Sequence, residues 1–109
     1  MKLKVYSIYD KAAKAYNQPF FTQNKALAIR MFSDNVNSQE ATTITNHPEH
    51  FSIFEIGEYD DATGLITSHV EPKFVSTALE LIEETPETDL IKEINSLKQQ
   101  ISTLNLKEV

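Results

Sequence analysis

Apolar and polar positions alternate from Lys2 to Tyr9, so that Leu3, Val5 and Ser7 point to one side of a strand while Lys2, Lys4, Tyr6 and Ile8 point to the other. Asp10 to Tyr16 is rich in Ala and Lys and suits a helical turn, which Asn17-Gln18-Pro19 ends because Pro biases the preceding residue toward extended backbone. Phe20 and Phe21 then pin a loop onto the core. From Asn24, a residue suited to cap a helix, Leu27, Ala28, Met31, Phe32 and Val36 recur at helical spacing, which predicts the main helix over Asn24 to Asn37. Ser38 to Glu49 has no sustained period and reads as an exposed, mobile connection.

The stretch from His47 to Ile66 holds the densest pattern. Phe51 to Tyr59 reads as a half-buried strand, with Phe51, Phe54 and Ile56 assigned to the core, and Leu65 to Val70 resumes the pattern. Between them, Asp60 and Asp61 accept hydrogen bonds from nearby backbone and Gly64 takes positive φ without a Cβ penalty, the composition of a hairpin turn. Pro72 is expected to stop the second strand. Val75, Ala78, Leu79 and Ile82 then fall at helical spacing and predict a second, shorter helix.

The tail carries the clearest period. Leu90, Ile94, Leu97, Ile101 and Leu104 alternate spacings of four and three, the repeat of a supercoiled seam, and Thr85-Pro86-Glu87 starts a helix well. With Ile at the a positions, Leu at the d positions, and Glu93 facing Lys98 across the pair, the pattern favours a parallel dimer, with a trimer as the alternative. A helix folded back on its own domain is the competing reading, since the seam is short. The expected organisation is therefore an α+β globular domain over 1–84 and a coiled-coil-like oligomerising helix over 85–109. Within the domain, a three-stranded, mostly antiparallel sheet is packed by the one main helix.

Composition changes this picture in two ways. The chain has 109 residues and 40% hydrophobic content, enough for one small domain and its core, and no Cys, which excludes disulfides and thiolate metal sites. Neither a signal peptide nor a bilayer-length apolar run is present, so a cytoplasmic protein with no membrane partner is expected. The net charge of −6 opposes simple duplex binding, but it is unevenly spread. The first fifty residues carry a small positive excess through Lys2, Lys4, Lys11, Lys14, Lys25 and Arg30, and the rest is strongly acidic.

Two groups of residues invite metal or acid–base chemistry. His47, Glu49 and His50, with His69 in reach if the hairpin folds suitably, have the donor types zinc takes, but no second ligand pair stands at a recognised spacing. They read as solvated or capping residues, and no metal or cofactor is assigned. In the series Glu55, Glu58, Asp60, Asp61 and Glu71, strand alternation separates Glu55 from Glu58, and the two Asp are explained by the turn. With only Gly57 and Gly64, no phosphate-binding loop, nucleophile elbow or dinucleotide fingerprint can be assembled, and no enzyme is expected.

Tyr6-Ser7-Ile8-Tyr9-Asp10, Pro19-Phe20-Phe21, Ala28-Ile29-Arg30-Met31-Phe32 and above all Phe54-Glu55-Ile56-Gly57-Glu58-Tyr59-Asp60-Asp61 follow one another in an order that resembles the small nonstructural protein of the gokushoviruses, single-stranded DNA phages of the Microviridae. The resemblance covers about residues 1–84. It implies a DNA-binding protein of the host cytoplasm that serves viral genome synthesis or packaging, and it brings no catalytic residues. Lys2, Lys4 and Tyr6 on one strand face, with Lys11, Lys14 and Tyr16 just beyond and Arg30 on the helix, offer the cation–aromatic mixture that single-stranded DNA binders use. The alternative is an acidic dimeric adaptor that binds phage or host proteins through the sheet or the Ser38 to Glu49 loop.

Overall fold

A computed structural model describes residues 1–83 together with Ile94 and Leu97. It corrects the expected fold class: the described residues are mostly β, 44% strand, with a curled antiparallel sheet and one main helix. Strand β1 (Lys2–Asp10) lies at the centre. On one edge it pairs with two short strands, β2 (Ala15–Tyr16) and β3 (Phe20–Thr22); on the other it pairs with β4 (Phe51–Asp60), which pairs in turn with β5 (Leu65–Thr77). The expected three strands are therefore five. Strands of two and three residues are too short to show a period, and only pairing to β1 makes them strands.

The hairpin of β4 and β5 forms around the expected turn. The Gly64 N–H donates to the Asp60 carbonyl at 2.8 Å, Asp60 Oδ1 accepts from the Ala62 N–H at 3.0 Å, and Gly64 sits at φ 73°. Pro72 does not end β5. The ladder skips His69 to Pro72 between the pairs Gly57↔Ser68 and Glu55↔Lys73, so Pro72 lies in a bulge on an edge strand where no donor is required of it. The residues expected to start a second helix instead finish β5, up to Thr77, and then make one 3-10 turn, Leu79–Leu81.

The main helix, α1 (Lys25–Val36), is capped by Asn24, whose Oδ1 accepts from the Leu27 N–H at 2.9 Å. It buries Ala28, Phe32 and Val36 against Tyr6, Ile8, Phe51, Ile53 and Ala78, and these residues form the core. At the helix end the Asn37 amide donates to the carbonyls of Ser33 and Leu81, both at 2.9 Å, and its oxygen accepts from the Glu83 N–H at 2.9 Å. One side chain thus ties α1 to the segment that follows β5. The connection from Ser38 to Glu49, expected to lack regular structure, contains a short helix, α2 (Thr43–Asn46), closed by a capping box between Thr42 and Thr45, and a 3-10 turn over Pro48–His50.

The domain boundary expected at residue 84 and the seam positions Leu90, Ile101 and Leu104 lie outside the described residues. Ile94 and Leu97 are helical and exposed. No helix among the described residues is long and apolar enough to cross a membrane.

Candidate nucleic-acid interface

A strand in an antiparallel ladder shares its faces with its partners, so register decides which residues meet. Tyr6 and Ile8 of β1 stand opposite Glu55 and Ile53 of β4, on the face that α1 covers. Leu3, Ser7 and Tyr9 stand opposite Tyr59, Phe54 and Ser52 on the other face, which no helix among the described residues covers. The next ladder adds Ile66 opposite Tyr59 and Phe74 opposite Phe54, while Tyr16 joins from β2 and Phe21 from β3. No charged residue falls on this face in the register.

The aromatic side chains there form a continuous run across the sheet. The ring of Tyr16 lies 4.8 Å from Tyr9 and 5.8 Å from Phe54, Tyr9 lies 6.2 Å from Phe54, and Phe54 lies 5.8 Å from Phe74. Their planes are tilted or edge-on, the arrangement that the ring quadrupoles favour. A second pair, Phe21 with Tyr59 at 5.5 Å, stands farther along β1. Tyr16 and Phe74 remain 46% and 56% exposed, so the run is an open surface and not a second core. Phe54, expected in the core, belongs here, because it is an odd number of residues from Phe51 and Ile53 is the core residue between them.

The seven residues expected to meet DNA do not share one surface. Tyr6 is fully buried and stacks on Phe20 with centroids 6.0 Å apart. Its hydroxyl donates to Glu55 Oε1 at 3.4 Å, and burial, reinforced by the Glu55 charge, pushes its pKa up to about 12. Lys4 is hydrogen-bonded to Glu58, an interaction that raises the lysine pKa and lowers that of the carboxyl. Lys2 lies opposite Asp60 and lines a shallow depression with Glu58, Asp60 and Thr67, and Arg30 is exposed on α1.

Lys11, Lys14 and Tyr16 do come together. The turn between β1 and β2 is held by Asp10 Oδ1, which accepts from the N–H groups of Ala12 and Ala13 at 3.0 and 3.3 Å. The Lys11 N–H also donates to the His50 carbonyl at 2.8 Å, and Lys14 takes a left-handed φ of 55° to close the turn. Both lysines are exposed at the end of the aromatic run, whereas Lys73, next in sequence to Phe74 and exposed, pairs with Glu55 and so stands on the opposite sheet face. None of the three makes an ion pair among the described residues.

Tyr9, Phe54 and Phe74 were absent from the sequence-based candidate set. The signal that finds them is strand parity: Phe54 and Phe74 lie off the alternation that carries Phe51 and Ile53. Their convergence, however, depends on which strands pair. Of the remaining candidates, His69 is half-buried and bonded through Nε2 to Glu55 Oε2 at 2.6 Å, away from His47, Glu49 and His50, which do converge.

Fold and surface together define a small, β-rich protein with one helix-covered sheet face and one open aromatic face. The family model described as Phage ORF5 protein matches residues 3–81, and the chain belongs to that family of phage proteins. No curated protein and no solved structure matches it.

Proposed function

We propose that this phage protein is a non-enzymatic binder of single-stranded DNA that assists viral genome synthesis or packaging. The supporting observation is the aromatic run Tyr16–Tyr9–Phe54–Phe74, which crosses four strands of the sheet with the lysine-bearing turn of Lys11 and Lys14 at one end. Unpaired bases present apolar faces that duplex bases hide, and a sheet bearing exposed aromatic rings stacks two or three such bases while lysines meet the phosphates. The resemblance to the gokushovirus protein points the same way. Two rim cations do not overcome a net charge of −6 at long range, so this binding is short-range, modest and salt-sensitive.

A titration of the full chain with labelled oligo(dT) tests this reading. Two phosphate contacts on a single strand give a logarithmic salt slope of about −1.4, so raising salt fourfold weakens binding by roughly 7-fold. Phe74→Ala and Tyr16→Ala each weaken it by about 5- to 150-fold, the range of one lost stack of 1–3 kcal/mol. Lys4→Gln, on the opposite sheet face, leaves it unchanged.

Absence of binding at low salt overturns the DNA reading. It then favours the second one, an adaptor that presents the same uncharged aromatic face to a phage or host protein. The uncharged, aromatic character of that face supports this alternative, since aromatic residues are enriched and charges depleted at the centre of protein interfaces.

A further inference from the structure

The turn that enters β4 gathers three metal-ligating side chains. His47 ends α2, Pro48 fixes φ at the first position of the 3-10 turn, and His50 closes the turn as its N–H donates to the His47 carbonyl at 3.0 Å. The turn is anchored at its far end, where the His50 carbonyl accepts from the Lys11 N–H and Phe51 is buried in the core. On this base the donor atoms of His47, Glu49 and His50 all lie within 4.8 Å of one another. The two imidazoles stack, with centroids 5.4 Å apart and planes 21° from parallel.

The distances distinguish two explanations of the cluster. Glu49 Oε1 is 3.6 Å from His47 Nδ1 and 3.8 Å from His50 Nε2. Both separations exceed the roughly 2.7–3.2 Å of a nitrogen–oxygen hydrogen bond, so the carboxylate does not lock either ring in place that way. Two ligands on one tetrahedral zinc, each bonded at about 2.1 Å, stand about 3.4 Å apart. The two edges to Glu49 are a few tenths of an ångström longer and the imidazole–imidazole edge is within 4.8 Å, gaps that side-chain rotations close at an exposed site.

We infer that His47, Glu49 and His50 form a binding site for a divalent transition ion of the zinc class, held by two imidazole nitrogens and one carboxylate oxygen, with solvent in the fourth position. The donor set matches that ion, which takes nitrogen and oxygen ligands without demanding a rigid geometry. The site stands apart from the aromatic face and does not rest on the DNA reading. Its position, bonded through backbone to Lys11, places any bound cation beside the lysine-bearing turn.

Calorimetric titration of the tag-free full chain with zinc chloride, repeated with cobalt(II) to read the visible absorption of a tetrahedral site, tests the inference. One ion per chain is expected. Because all three side chains are at least partly exposed, the double substitution His47→Gln, His50→Gln leaves the melting temperature of the metal-free protein unchanged. It weakens binding by at least about 10-fold, since losing ligands costs no less than losing the partners that orient them. His69→Gln leaves binding intact. Absence of saturable binding, affinity unaltered by the double substitution, or loss of binding with His69→Gln alone overturns the assignment.

Discussion

Gly57→Ala is the sharpest test of how β4 and β5 meet. Gly57 is buried opposite Ser68, and a Cβ built on it would lie 2.5 Å from the Thr67 carbonyl oxygen, 3.2 Å from the Ser68 Cα and 3.3 Å from the Thr67 carbonyl carbon. All three obstacles are backbone, so no side chain can swing aside. Carbon and carbonyl oxygen tolerate about 3.3 Å, so the Thr67 carbonyl must retreat by roughly 0.8 Å. Thr67 and Ser68 are ladder partners of Glu58 and Gly57, and such a shift stretches an adjacent hydrogen bond beyond useful length. One or two lost ladder bonds cost about 0.5–1.5 kcal/mol each, and Ala recovers part of this through lower backbone entropy in the unfolded chain. Overpacking strain against backbone that cannot swing aside adds to the lost bonds, so the net loss is about 1–3 kcal/mol, or a melting temperature lower by about 4–8 °C for each kcal/mol in a domain of this size.

Thermal and urea unfolding of Gly57→Ala, beside Gly57→Asn, Gly64→Ala and Gly64→Asn, reads the difference in cause. Gly64 has positive φ and open space around its Cβ position, so its substitution costs backbone strain alone, and Asn, which tolerates that conformation, recovers much of the loss. At Gly57, Asn is at least as harmful as Ala. A Gly57→Ala protein that melts within about 2 °C of the parent would refute the close approach and with it the register of β4 against β5.

Two further outcomes follow from buried or patterned groups. Tyr6 is neutral in the folded state up to about pH 12, whereas its ordinary value is 10.0, so the unfolded chain ionises first as pH rises. Its contribution is fully present below pH 10 and declines by about 2–3 kcal/mol between pH 10 and 12; stability measured across that window should fall less steeply in Tyr6→Phe, and equal slopes would discount the shift. For the tail, the heptad positions predict self-association, and sedimentation of Leu97→Asp, Ile101→Asp should show a smaller species than the parent, an unchanged assembly state removing the coiled-coil reading.

The alternation of β1, the Asn24 cap with its apolar stripe, and the Asp60 to Gly64 turn were legible because each depends on contacts within a few residues. The coarser part of the resemblance over residues 1–84, that this is a phage protein, likewise agrees with the family that matches 3–81. Long-range pairing was not legible. Ala15–Tyr16 and Phe20–Thr22 become strands only because β1 offers them an edge, and β5 runs past Pro72 only because β4 skips the bulge around it. The same limit misplaced Phe54 and hid the burial of Tyr6 and the bond from Lys4 to Glu58.

By itself, then, the sequence determined the local parts: one capped helix, one tight hairpin, an acidic chain with a cationic first half, and the residue types of the candidate sites. Tertiary structure decided which of them face one another. Parity along a strand is a local property, but the identity of the opposing strand and its register is not. That choice buried Tyr6, paired Lys4 with Glu58, and left Tyr9, Tyr16, Phe54 and Phe74 together on a face that α1 does not cover.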